Sequence, residues 1–287
     1  MLKSRTFASL KFGSLLLLAA AFDVLCVQEA HGSEADVWEL SRRLHASHSI
    51  WFSLRSSSAS GGILFIVKRT FLTTLINYRF TVVSHGRVAI LSLFFPNGAI
   101  SFMNVHILPN LPIAARRDLF RRMSSTLPEL TRHSIFLLGD WNFLAAGESN
   151  FNFVQGVEIN RDDGSSFHFG SIFPSFTELL QDAPTHKDSA TLSRLDRIYT
   201  NLPLAGLLDL SLRAGTQWDF SHSRSSVSDH LPVFVHVSRK LHGESRRVLP
   251  RWVAEHPDSP SRFSFFSTSA ATLLTTLLPR MPMPNFS

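Results

Sequence analysis

The sequence predicts an α/β fold in which two packed β-sheets carry helices on their outer faces. Apolar runs of strand length outnumber the helical stretches, and the helices punctuate the strands rather than alternating strictly with them. Hydrophobic residues make up 44% of the 287-residue chain and charged residues only 17%, enough for a substantial core.

At the start, Lys3, Arg5 and Lys11 precede the apolar run Leu15 to Phe22. Residues 1–22 therefore imitate a secretory signal. The alternative, which we prefer, is an amphipathic helix feeding a buried strand from Phe22 to Gln28, because cleavage would strand the polar motif just beyond it. No apolar run reaches the roughly 20 residues that span a bilayer, so no stable membrane association is expected. Cys26 is the only cysteine, which excludes an intramolecular disulfide, and its apolar neighbours make it a structural thiol rather than a nucleophile.

A short helical pattern covers Val37 to Leu44. Gly61-Gly62 then opens the strand Ile63 to Lys68, whose continuous apolar content suits burial on both faces. Tyr78 to Val83, Arg87 to Phe94 and Ala99 to Ile107 form an antiparallel meander, separated by the turns His85-Gly86 and Pro96-Asn97-Gly98. Pro112 begins a helix, Ile113 to Leu130, with Ala115, Leu119, Met123 and Leu127 on one face. Arg116, Arg117, Arg121 and Arg122 occupy the other, read as a solvated basic face in preference to a DNA contact. Ser134 to Gly139 is a strand ending in Asp140, followed by a loop-rich stretch to about Phe173 and a helix from Ser175 to Gln181. Leu195 to Thr200 and Leu231 to Val237 are the last strands. One domain is expected over residues 1–240, with a low-complexity, disordered tail over 241–287, where Ser, Thr and Pro dominate from Ser259 onward. The net charge of +6 favours a polyanionic partner, nucleic acid or an acidic surface.

Four short segments gather polar residues at the ends of apolar strands: Val27-Gln28-Glu29, Gly139-Asp140-Trp141-Asn142, Arg194 to Tyr199, and Ser228-Asp229-His230. Singly, each is better read as a turn, cap or surface pair. Together, in this order, they resemble the signature of the endonuclease/exonuclease/phosphatase superfamily. That group includes pancreatic-type deoxyribonucleases, apurinic-site endonucleases, inositol polyphosphate phosphatases and the endonuclease domains of non-LTR retrotransposons. Phe22 to Gly32 is similar to its glutamate motif. Ser193 to Asn201, SRLDRIYTN, resembles the retroelement branch, as does Leu249-Pro250-Arg251-Trp252.

The resemblance implies a deoxyribonuclease-like four-layer sandwich of two mixed β-sheets flanked by helices, and a Mg²⁺-dependent phosphodiesterase, with Mn²⁺ as a substitute ion. Glu29 and Asp229 match the metal ligands, and hard carboxylate oxygens suit Mg²⁺. Asp140 matches the aspartate that orients or activates the attacking water, and Asn142 the partner holding a phosphate oxygen. His230 matches the histidine that contacts the scissile phosphate and exchanges protons, and Asp196 the aspartate that fixes its tautomer. Asp229 cannot orient His230 itself, because neighbours on a strand point to opposite faces. His106 resembles a second histidine of the deoxyribonuclease and phosphatase branches, with a half-buried structural histidine as the alternative.

Family members begin with a strand ending in asparagine about thirty residues before the glutamate. None of the 28 residues ahead of Glu29 is Asn, so the first strand is expected to be missing, opening a sheet edge and leaving activity weakened or lost. The leading expectation is an intracellular, nuclear endonuclease that nicks DNA. The alternatives are a phosphatase of inositol phosphates or phospholipids on the same fold, and a non-catalytic nucleic-acid-binding remnant.

Overall fold

The computed structural model describes residues 8–55, 61–145, 147–159, 164–181, 183–203, 207, 210–217 and 228–239; the tail, with Leu249 to Trp252, lies outside them. The apolar N-terminal segment forms helix α1 (Ala8–Ala21), which feeds strand β1 (Val24–Val27). Helix α2 (Glu34–Leu44) follows, started by a capping box in which Ser33 and Asp36 satisfy each other's backbone N–H. Strands β2 (His48–Ser53) and β3 (Ile63–Lys68) complete an antiparallel sheet of order β1-β3-β2.

The meander appears as β4 (Asn77–Ser84), β5 (Val88–Phe95) and β6 (Gly98–His106). Helix α3 (Ile113–Thr126) then crosses over to β7 (His133–Asp140), which pairs parallel with β6. Helix α3 stops short of Leu130 because Leu127, extended at ψ 140, precedes Pro128. The meander and β7 join β13 (Asp196–Thr200) and the short β10 (Thr177–Glu178) in a six-stranded mixed sheet of order β10-β13-β7-β6-β5-β4.

Alternation along these strands sets the layers. Ala89, Leu91 and Leu93 of β5 face Ile63, Phe65 and Val67 of β3, forming the core between the sheets. On the outer face, Val88, Ile90, Met103, Val105, Ile135 and Leu137 pack under Leu119, Phe120 and Met123 of α3. Leu64 and Ile66 of β3 point the other way, against Leu15 and Ala19 of α1 and Val37 and Leu40 of α2. The layers are therefore helix, sheet, sheet, helix, as expected for the fold class.

Two expectations are corrected. No helix covers Ser175 to Gln181; the helix is α4 (Ser165–Ile172), and Thr177–Glu178 is extended as β10. Phe169 of α4 is drawn in by Trp141 and Tyr199, at ring distances of 4.9 and 4.4 Å, whereas Glu178 is held by the guanidiniums of Arg194 and Arg197. Arg116 does not belong to a solvated face. It is 2% exposed and donates to Ser165 Oγ and to the carbonyls of Asn142, Leu108 and Pro109.

A small sheet of order β11-β12-β8-β9 covers the loop region: β8 (Asn150–Asn152), β9 (Val157–Ile159), β11 (His186–Lys187) and β12 (Thr191–Ser193). Strands β14 (Leu210–Thr216) and β15 (Val233–Arg239) form a separate antiparallel pair. Among the described residues β1 pairs only with β3, and β15 only with β14. Between them lies a cavity of about 510 Å³, lined by Phe102, Phe136, Leu138 and Ile198 of the six-stranded sheet and by Leu15 and Leu18 of α1. Strands β1 and β15 thus border one slot. Burial drives the Cys26 thiol beside it far above its ordinary pKa, so it is no nucleophile. No helix among the described residues is long and apolar enough to cross a membrane.

Phe120 is fully buried among Trp141, Phe143, Phe169 and Phe173, while Phe167 on α4 is 75% exposed. Urea unfolding should show Phe120→Ala losing roughly 3–5 kcal/mol and Phe167→Ala within about 0.5. Equal losses would contradict this layer assignment.

Candidate active site

Strand register builds the centre of the site. In the parallel ladder β6–β7 His106 pairs with Asp140, and in the antiparallel ladder β7–β13 Asp140 pairs with Asp196. Paired residues share a face, so three polar side chains stand side by side at one end of the sheet, on the face toward β1. Gly139 permits this close ladder: a Cβ there would lie 2.0 Å from the Val105 carbonyl oxygen, and φ is +138°.

Glu29 enters from the end of β1. Its chain turn is held by Ala30 and His31, whose N–H groups donate to the carbonyls of Gly62 and Gly61. Asn104, fully buried, donates to the carbonyls of Val27 and Leu64 and accepts from Gln28 Nε2 at 2.6 Å, tying β1 and β3 to β6. Glu29 Oε1 then lies 3.3 Å from His106 Nε2, which is 3.8 Å from Asp140 Oδ2. Glu29, His31 and Asn142 are the three non-glycine residues with positive φ among those described. Such backbone strain gathers at functional sites.

Arg87 settles the tautomer of His106. A guanidinium can only donate, so Nδ1 of His106 accepts from Arg87 Nη1 at 2.8 Å and Nε2 carries the proton. Burial, partly opposed by Glu29 and reinforced by Arg87, lowers its pKa to about 4, so this imidazole stays neutral. Asp140 moves upward, to about 8, because it is buried and faces the charge of Asp196.

His230 Nδ1 donates to Asp196 Oδ2 at 2.8 Å, leaving Nε2 toward the cleft. Burial opposes its charge, but Asp196, with help from Asp140 and Asp229, outweighs burial and raises its pKa to about 9. Asn142 differs from its sequence reading. Its Nδ2 donates to Asp140 Oδ2 at 2.6 Å and to the Ile107 carbonyl at 2.8 Å, so both hydrogens are committed. It positions Asp140, and its amide hydrogens are not available to a phosphate. Asp229 lines the same cleft as Glu29, but its carboxylate stands 3.7 Å from His186 Nε2.

The arginines of the Arg194 to Tyr199 motif act below the site. Arg197 is fully buried and, with Arg194, forms ion pairs to Glu148 and Glu178. These anchor the loop that carries Trp141 and Asn142. Arg87, Asn104 and His186 escaped the sequence reading, and Arg116 was read there as part of a solvated face. Only Asn104 left a legible signal, two residues before His106 and hence on the same strand face.

A family model described as the Endonuclease/Exonuclease/phosphatase family matches residues 8–230. No curated protein matches significantly. The fold is similar to the endonuclease domain of TRAS1, a telomere-specific non-LTR retrotransposon (13% identity, 84% of this chain, 96% of that one, TM-score 0.55). It is also similar to the 3′ phosphatase NExo from Neisseria, bound to a product DNA hairpin (15%, 80% and 95%, TM-score 0.57). TDP2 from D. rerio, complexed with a single-strand DNA product, matches at 13%, over 83% and 94%, with TM-score 0.56.

Two measurements test this geometry. Asp196→Asn removes the carboxylate that holds the His230 proton, so an NMR titration should show the His230 pKa falling from about 9; an unchanged value would break the pairing. Burial raises the Glu148 pKa, but Arg197 and Arg194 prevail and lower it from 4.5 to about 2. A depressed carboxylate stabilises the fold above its unfolded pKa and loses that effect as pH falls through its folded one. Glu148→Gln should therefore be less stable at pH 7, with the gap to the parent chain narrowing between pH 4.5 and 2.

Proposed function

This chain belongs to the endonuclease/exonuclease/phosphatase family, and we propose that within it the protein is a divalent-metal-dependent phosphodiesterase that nicks DNA. The carrying observation is the convergence of His106, Asp140 and Asp196 on one rung, with Glu29 at its mouth and His230 fixed by Asp196. The SRLDRIYTN segment and the likeness to a retrotransposon endonuclease fold support the retroelement type of substrate.

The donors present suit a hard cation such as Mg²⁺ or Mn²⁺. Glu29 and Asp229 supply carboxylate oxygens that line one cleft. When bound, the ion neutralises charge on the phosphoryl and leaving oxygens. Asp140, held by Asn142, orients water and accepts its proton. His230, protonated below about pH 9, presents Nε2–H to the phosphate and returns a proton to the leaving oxygen. The net charge of +6 favours the duplex backbone, so binding should weaken with salt.

Supercoiled plasmid with Mg²⁺ is the decisive substrate. Nicking should require the metal, and His230→Ala should slow it by about 10²–10⁴-fold. Turnover of a phosphoinositide without nicking would favour the phosphatase reading. Plasmid binding with neither activity would leave a non-catalytic DNA-binding protein.

A further inference from the structure

Three arginines are buried around the site, and one of them is matched unlike the others. Arg116 reaches four oxygen acceptors, and Arg197 is paired with two glutamates. Arg87 is 8% exposed, yet among the described residues its side chain bonds only the His106 imidazole, and its Nε has no partner. A buried charge so poorly compensated costs stability, and an apolar side chain of similar length would cost less. What the guanidinium supports lies one imidazole away, at the Glu29 carboxylate.

We propose that Arg87 is a positioning residue for Glu29, acting through His106, and so sets the affinity of the site for its divalent cation. This role rests on the metal-dependent reading above, in which Glu29 is a cation ligand. Arg87 Nη1 stands 2.8 Å from His106 Nδ1 against 3.4 Å from Nε2, so Nδ1 is the acceptor and Nε2–H is turned to Glu29 Oε1 at 3.3 Å. The other tautomer would set N–H against N–H at Arg87 and a lone pair against the carboxylate. Glu29 Oε2 also lies 3.4 Å from His31 Nε2, but that side chain is 31% exposed and His106 only 2%. His106 is therefore the fixed contact of a carboxylate whose side chain is itself 56% exposed. Without it Glu29 would regain the rotamer freedom that a cation must then remove.

The main chain ties the same two residues together. Gly61 lies over the guanidinium: a Cβ there would stand 3.2 Å from Arg87 Cζ and 3.0 Å from the Gly86 carbonyl oxygen. The Gly86 carbonyl accepts the Gly62 N–H, and the carbonyls of Gly62 and Gly61 accept the N–H groups of Ala30 and His31. The loop that leads into Arg87 thus also holds the turn in which Glu29 keeps its positive φ. Side chain and backbone of the ligand are both set relative to Arg87.

The test needs no substrate. Heteronuclear NMR of the imidazole nitrogens in the full 287-residue protein should show His106 protonated at Nε2 and bare at Nδ1. Mn²⁺ binding is then followed through the EPR signal of the free ion. Arg87→Met should release the tautomer and weaken Mn²⁺ by about 10–100-fold. Arg87→Lys, which keeps a donor and the charge, should lose less. Adding Arg87→Met to His106→Phe should cost nothing further, whereas an arginine that only stabilises the fold would add its own loss to the first. Should Arg87→Met fail to fold, the tautomer of the parent protein and the affinity of Arg87→Lys still decide. A proton on Nδ1 of His106 in the parent, or Mn²⁺ affinity unmoved by Arg87→Met, overturns the positioning role and leaves the metal-dependent reading standing. A parent protein that binds no Mn²⁺ overturns both.

Discussion

The site depends on a single rung of hydrogen-bonded strand register. His106, Asp140 and Asp196 come from three strands with a parallel and an antiparallel ladder between them, yet they stand in line. A slip of one residue on any strand would turn its side chain to the opposite face, into the core beneath α3. Gly139 protects this register, because any side chain there would collide with the backbone of β6. The aromatic cluster around Phe120 and Trp141 fixes the same strands from behind, so core packing and site geometry are one constraint.

Buried charge serves positioning at several points. Arg87 holds His106 in one tautomer, Arg116 caps the loop of Asn142, and Arg197 is enclosed by Glu148 and Glu178. Removing one partner from such a pair leaves an uncompensated buried charge, so these groups restrict the loops more stringently than apolar packing would. Asn104 plays the neutral version of this role. It joins the two sheets near the point where Glu29 must meet His106.

The inner layer is divided where β1 and β15 face a common apolar slot. Its polar mouth is lined by Glu29, Asp140, Asp196, Asp229 and His230. His230 is tied to the rung through Asp196.

By itself the sequence determined the layers and most of the rung. The closely spaced strand runs of the meander, the turns between them and the apolar run Ile63 to Lys68 mark strands because side-chain burial is local, and the β4–β5–β6 turns lie where expected. Glu29, Asp140, Asp196 and His230 each follow or open an apolar strand, but they were legible as a set only because together, in that order, they resemble the superfamily signature. The placement of Arg116, the helix at Ser165 instead of Ser175, and the meeting of His186 with Asp229 and His230 were decided only by tertiary structure. Helical spacing cannot distinguish an arginine facing water from one facing four acceptors outside its own helix. Nor does any local pattern pair residue 186 with residue 230, since their bridge exists only once the intervening chain has folded back.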